Sequence, residues 1–186
     1  MTRIIAGTHG GRRIQVPPGD GTRPTTDRVR EALFSALQSE YGSFDGLRFL
    51  DLFAGSGAIG LEALSRGAAS ADLVEQDRTA AQIIKMNVAD LAIGGAQVVM
   101  SSASRFLQRP PGAPYDVLFV DPPYAFPASE LHELLTTLSE PVWSAPESLI
   151  VVERAKRDRL CWPDGIEPGK EKKYGDTILW YGHCHD

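Results

Sequence analysis

The stretch Asp51-Leu52-Phe53-Ala54-Gly55-Ser56-Gly57-Ala58-Ile59-Gly60 decides the fold. It follows the apolar run Phe49-Leu50, which reads as a buried strand, and opens a segment with helical spacing near 58–66. Glycines at 55, 57 and 60 permit a tight turn and a close approach of ligand to backbone, while the helix start presents unpaired N–H groups. A nucleotide-like cofactor is expected there, lined by Phe53, Ala54, Gly55, Ser56 and Gly57. Glu75 ends the next apolar run, 20 residues after Gly55, where an acid can accept hydrogen bonds from both ribose hydroxyls, with Gln76 beside it. The plainer alternative is a glycine turn that only lets a helix pack closely on its strand.

Outward from that loop the chain alternates. Apolar runs at 73–74, 98–100, 117–120, 149–152 and 178–181 read as buried strands, and segments near 78–92, 102–108 and 128–138 as helices. Alternation of this sort predicts an α/β fold: a mainly parallel sheet with helices on both faces. The interval 155–174 reads as a surface connection before a last, antiparallel strand. Toward the N-terminus, Arg3 to Gly7 and Arg12 to Val16 flank Thr8-His9-Gly10-Gly11 as a β-hairpin, and a helix is expected from Pro24 to Leu37. The organisation is thus a hairpin extension over 1–21 and one domain over 22–186.

The glycine spacing alone fits a nicotinamide dinucleotide as well. Asp51, before the loop, argues for a cofactor with a positive group, because a carboxylate beside a pyrophosphate is repelled. S-adenosyl-L-methionine carries a sulfonium and an amino group and no phosphate. Capping of the following helix is the plainer role for Asp51.

Asp121-Pro122-Pro123-Tyr124 follows the run Val117 to Val120, at the strand end where open parallel sheets bind ligands. Consecutive prolines fix φ and remove two N–H donors, leaving rigid acceptors with an aromatic ring beside them. That suits an exocyclic amine of a base, held by the Asp121 carboxylate and a carbonyl near Pro122, with Tyr124 stacked on the ring. An aryl amine is a weak nucleophile, so holding its hydrogens and fixing its geometry is the main task. Asp121 or water then takes the product's proton. A rigid turn is the alternative for this motif too.

Composition sets limits. The chain has 186 residues, 42% hydrophobic, with 19 Lys+Arg against 24 Asp+Glu and a net charge of −5, which excludes a uniformly basic binder of nucleic acid. Charge is uneven, however: residues 1–30 hold six arginines against Asp20 and Asp27, a balance of +4, while the remainder hold 13 basic and 22 acidic residues, a balance of −9. Arg3, Arg12, Arg13, Arg28 and Arg30, with His9, are therefore candidates for RNA contact. Arg154, Lys156, Arg157 and Arg159 alternate with Glu153 and Asp158 and read as surface charge. Two cysteines, Cys161 and Cys184, suit a reducing compartment, and no metal site is expected at His183-Cys184-His185. No apolar run long enough for a membrane span and no signal segment is seen, so a cytoplasmic protein without a membrane partner is expected.

With both motifs in hand, the sequence resembles the class I S-adenosylmethionine-dependent methyltransferases. More narrowly it resembles the RsmD family, which methylates a guanine N2 amine in 16S ribosomal RNA. Besides the two motifs, the resemblance rests on Arg3-Ile4-Ile5-Ala6-Gly7, Gly11-Arg12-Arg13, residues Arg23 to Phe34, and Lys172-Lys173-Tyr174-Gly175-Asp176-Thr177. It implies a Rossmann-like, seven-stranded sheet. Asp51, Gly55 and Gly57 would line the cofactor's methionine side, Glu75 its ribose, and Arg23, Pro24, Thr25 and Thr26 would close over it. Asp121 to Tyr124 would hold the guanine. Where many relatives carry an acid for the adenine amine this chain has Ser101-Ser102-Ala103, so that contact falls to Ser102, Ala103 or main chain. The implied partner is 16S RNA, free or inside an assembling 30S subunit, and a monomer is expected. The competing readings are a DNA adenine-N6 methyltransferase, for whose target-recognition segment 186 residues leave little room, a nicotinamide-dependent oxidoreductase, and a non-catalytic RNA-binding module.

Overall fold

A computed structural model describes residues 2–19 and 26–185. The elements in chain order are β1 (Thr2–Arg3), β2 (Arg13–Ile14), α1 (Asp27–Tyr41), β3 (Arg48–Asp51), α2 (Ala58–Ser65), β4 (Ser70–Glu75), α3 (Arg78–Leu91), β5 (Ala96–Met100), α4 (Ala103–Phe106), β6 (Tyr115–Val120), α5 (Ala128–Leu138), β7 (Ser144–Ala155), β8 (Ile166–Tyr174) and β9 (Thr177–Cys184). Seven strands form one sheet in the order β5-β4-β3-β6-β7-β9-β8. The first five are parallel and β9 is antiparallel to both its neighbours.

The central strands are mainly apolar because helices cover both faces, with Asp72 in β4 and Asp116 in β6 as charged exceptions inside them. Side chains alternate between two cores. Phe49, Leu73, Val117, Phe119 and Val151 pack with residues of α1, α2 and α3, while Leu50, Val74, Leu118, Val120 and Val152 pack with α5 and α4. Helix α1 buries Val29, Leu33, Phe34 and Leu37 at helical spacing. It starts later than the sequence predicts, with the Thr26 hydroxyl accepting from Val29 N–H at 3.3 Å, and runs on to Tyr41 before Gly42 at φ 70° ends it.

Residues 155–174 are not only a surface connection. They contain β8, which is polar along its length and pairs with β9 across a register shift between Pro168 and Glu171. Lysines, a proline and an irregular register are what an outermost strand uses to discourage further pairing, and they erase the apolar alternation by which a strand is recognised.

The N-terminal hairpin forms with strands of two residues each, Thr2 opposite Ile14 and Arg3 opposite Arg13, shorter than the sequence suggests. Docking to the domain occupies the rest of its backbone. The fully buried Glu62 of α2 accepts from Ile5 N–H at 2.7 Å and Ala6 N–H at 3.0 Å. Asn87 of α3 exchanges hydrogen bonds with both backbone groups of Gln15. Ile4 and Ile14 are buried within the core that holds Leu33 and Phe34. At Gly7, φ 83°, a Cβ would fall 1.8 Å from the Ser65 carbonyl oxygen, so no other residue fits that approach.

Candidate active site

Strand β3 pairs with β4 on one side and β6 on the other, so chain direction across the sheet reverses between β3 and β6, and a crevice opens beyond their C-terminal ends. A cavity of about 590 Å³ lies there. Asp51 to Ser56 form one wall, Glu75 to Asp77 the next, and Asp121 to Tyr124 the third, with Thr2, Val16 and Pro17 of the hairpin segment closing a side.

The glycine loop is held open by its acids. Glu75 Oε2 accepts from Gly55 N–H at 2.8 Å and Oε1 from Asp77 N–H at 2.8 Å. Gly57, φ 82°, makes the turn into α2, and a Cβ there would meet the Ile84 side chain at 3.0 Å. Gly60 lets α2 rest on β4, since a Cβ would fall 2.6 Å from Leu73 Cδ2. Asp51 is 1% exposed. Its Oδ2 accepts from Gly60 N–H at 3.1 Å, the expected capping role, but Oδ1 is buried without a hydrogen-bond partner among the described residues. Burial pushes the Asp51 carboxyl up to about 7, the Gly60 hydrogen bond opposes this and the Glu75 charge adds to it. An orphaned, proton-hungry carboxylate oxygen in a cavity wall asks for a cation or donor. The amino group of S-adenosylmethionine fits that request, and a dinucleotide pyrophosphate does not.

At the third wall Asp121 is half-buried, Pro122 buried and Tyr124 exposed. Burial raises the Asp121 carboxyl well above the usual range, the charges of Glu153 and then Asp51 raise it further, and Arg154 opposes them. Phe126 N–H donates to Pro123 O at 2.9 Å, turning the chain into α5, and Phe126 meets Phe53 edge-on at 5.4 Å between ring centres. The two motifs are thereby locked ring against ring.

The family described as Conserved hypothetical protein 95 matches residues 2–183. The chain belongs to this family. The Escherichia coli protein named ribosomal RNA small subunit methyltransferase D is 48% identical over 151 residues, covering 81% of this chain and 73% of its own length. The protein of that name from Haemophilus influenzae is 40% identical over 176 residues, covering 93% and 89%. The solved structure of yhhF from Escherichia coli, 41% identical, superposes with a TM-score of 0.83 over 98% of this chain and 97% of that one. The fold is that of the class I S-adenosylmethionine-dependent methyltransferases.

In this family member several residues do other work than the sequence suggests. Arg30 is fully buried, donating to Arg3 O at 2.8 Å, Thr2 Oγ1 at 3.0 Å and Asp27 Oδ1 at 2.7 Å, so it ties hairpin to helix and cannot meet RNA. The Arg12 guanidinium donates to Leu91 O at 3.0 Å and to Asp90 O, neutralising the negative end of α3. Residue 12 therefore sits about 20 Å along α3 from the cavity rim at Asp77. His9 lies at the matching end of α2, its N–H donating to Ser65 Oγ at 3.0 Å. Arg3, Arg13 and Arg28 remain exposed; Arg3 faces Asp27 at 3.6 Å, and the charge of Arg28 acts on Tyr174. Ser102 caps α4, its Oγ accepting from Arg105 N–H at 3.3 Å, and the cavity meets Ser101 and Ala103 instead. Thr26 caps α1, whereas Arg23, Pro24 and Thr25 lie outside the described residues.

Sequence reasoning missed Glu153, Arg154 and Thr177, all of which line the cavity. Arg154 is not surface charge: it is buried, paired with Asp158 at 3.2 Å. The available signal was position, because Glu153 follows the apolar run of β7 as Asp121 follows that of β6.

Proposed function

We propose that this protein methylates the exocyclic N2 amine of a guanine in 16S ribosomal RNA, with S-adenosyl-L-methionine as donor. One observation carries the reading: the loop Asp51 to Ser56 and the corner Asp121 to Tyr124 face a single cavity, so a cofactor and a target amine can meet there. The names of the Escherichia coli and Haemophilus influenzae relatives support RNA of the small subunit as the substrate.

The bound cofactor supplies an electrophilic methyl group on a sulfonium, so a nitrogen–carbon bond forms as a carbon–sulfur bond breaks. Asp51 Oδ1 and the Gly55 region hold its methionine end, and Glu75 its ribose. Asp121 accepts an N–H of the amine, a carbonyl beside Pro122 accepts the other, and the Tyr124 ring stacks on the base. The raised proton affinity of Asp121 equips it to take the proton that the methylated amine sheds. Arg3, Arg13 and Arg28 meet phosphates of the RNA, free or in an assembling 30S subunit, in the cytoplasm and with the protein acting as a monomer.

Incubation with labelled S-adenosylmethionine and small-subunit RNA lacking the modification tests this. Label in N2-methylguanine is the expected result. Label absent from guanine, or calorimetric binding of NAD in place of S-adenosylmethionine, would overturn it.

A further inference from the structure

Four acids stand in a row along the C-terminal edge of the sheet. In β6 and β7, Phe119 lies opposite Val151 and Val120 opposite Val152, so one step further sets Asp121 beside Glu153 on the same face. Asp51 lies opposite Phe119 and opposite Leu73, which puts Asp51 and Glu75 on that face as well. From β4 to β7 the row is Glu75, Asp51, Asp121, Glu153, and all four line the cavity. Neighbouring strands are about 4.8 Å apart. The proposed function, on which this inference rests, uses the first two for the cofactor and Asp121 for the amine. Glu153 is then one strand further from the cofactor, on the far side of the amine. Its charge acts on Asp121 more strongly than that of Asp51 does.

On guanine, the atom next to the N2 amine along the pairing edge is N1–H, a second donor, followed by O6, an acceptor. On adenine the neighbour of the exocyclic amine is N1 with a lone pair. Two adjacent carboxylates suit the first arrangement and repel the second. Arg154, the next residue of β7, alternates to the other face of the sheet, where its guanidinium pairs with Asp158 at 3.2 Å, so the carboxylates of Asp121 and Glu153 are the side chains this face offers beside the amine. The wall thus sets two acceptors side by side, the complement of the two donors N2–H and N1–H. We propose that Glu153 is the residue that selects guanine, accepting the N1–H hydrogen bond while Asp121 holds the neighbouring amine.

The test replaces the target guanine by 2-aminopurine in small-subunit RNA, which keeps the amine, exchanges N1–H for a lone pair and loses O6; the Glu153 variants, which change only the group facing N1, separate the two losses. The unaltered protein should favour guanine by about 100-fold or more in kcat/KM, because a site built around a donor rejects an analogue lacking it. In Glu153→Gln, whose amide can donate to the N1 lone pair, and in Glu153→Ala, which removes the repulsion, the preference should fall at least about tenfold. S-adenosylmethionine affinity by calorimetry and the thermal unfolding midpoint should be retained in both. An unchanged preference, whether both rates persist or both fall together, overturns the assignment of Glu153. If the unaltered protein leaves guanine unmethylated, the proposed function fails and takes the inference with it.

Discussion

Asp51 joins folding to binding through a single proton. Its ordinary value as a free carboxyl is about 4, and in the folded chain burial pushes it up to about 7. Between those values the folded protein keeps a proton that the unfolded chain has released, so stability of the cofactor-free protein falls as pH rises through that window. A cation beside Asp51 reverses the preference, so binding S-adenosylmethionine below pH 7 releases the proton. Affinity should strengthen by up to about tenfold between pH 6 and 7 and level off above. Calorimetry in buffers of different ionisation enthalpy reads the released proton directly. Asp51→Asn should bind more weakly and without the pH slope, and a slope that survives in the variant would assign it to another group. Asp121 makes the complementary case. Asp121→Ala should lower kcat by about 100-fold or more while S-adenosylmethionine affinity changes little, separating acceptor from cofactor roles in one pair of measurements.

At the level of elements, the hairpin is fastened in part by residues that a charge count assigns to RNA. Arg12 and Arg13 are neighbours in sequence and different in use, Arg12 lying just before β2 and Arg13 within it. Both are exposed, but the Arg12 guanidinium ends on carbonyls of α3. Arg12→Ala should cost about 1 kcal/mol of stability in urea unfolding and leave the salt dependence of RNA binding unchanged. Arg13→Ala should do the reverse, lowering the slope of log affinity against log salt by about 0.7 to 0.9. Equal effects of the two on RNA binding would contradict this division. Glu62→Ala, which strands the Ile5 and Ala6 N–H groups, should cost about 2 to 3 kcal/mol by the same unfolding measurement. Nothing in the sequence distinguishes Glu62 from a solvent-facing helix glutamate. Its burial depends on where the hairpin, 56 and 57 residues away in sequence, comes to rest. The central strands were legible for the opposite reason: covered on both faces, they carry apolar runs such as Leu73-Val74 and Val117 to Val120, and their ends are marked by Asp51, Glu75 and Asp121. Strand β8 carries no such mark, since its pairing with β9 supplies hydrogen bonds but no buried face.

For the whole molecule, a net charge of −5 describes no surface that a partner would meet. Acids gather at the cavity, where Asp51, Glu75, Asp121 and Glu153 stand at the ends of four adjacent strands. Of the five arginines among the described residues before residue 31, Arg30 is buried in the fold and Arg12, though exposed, is tied to α3, while Arg3, Arg13 and Arg28 are exposed. The two motifs that mark the cavity could be read from residues alone, because each needs only its own strand and loop. Glu153 and Arg154 could not, because their meaning comes from the register of β7 against β6. No helix among the described residues is long and apolar enough to cross a membrane. The measurement that bears most directly on the central claim is nucleoside mass spectrometry of 16S RNA from cells with the protein, without it, and with Asp121→Ala in its place. One N2-methylguanine present in the first and missing from the other two is the expected result. The same modification persisting in all three, or its loss on a base other than guanine, would contradict the assignment.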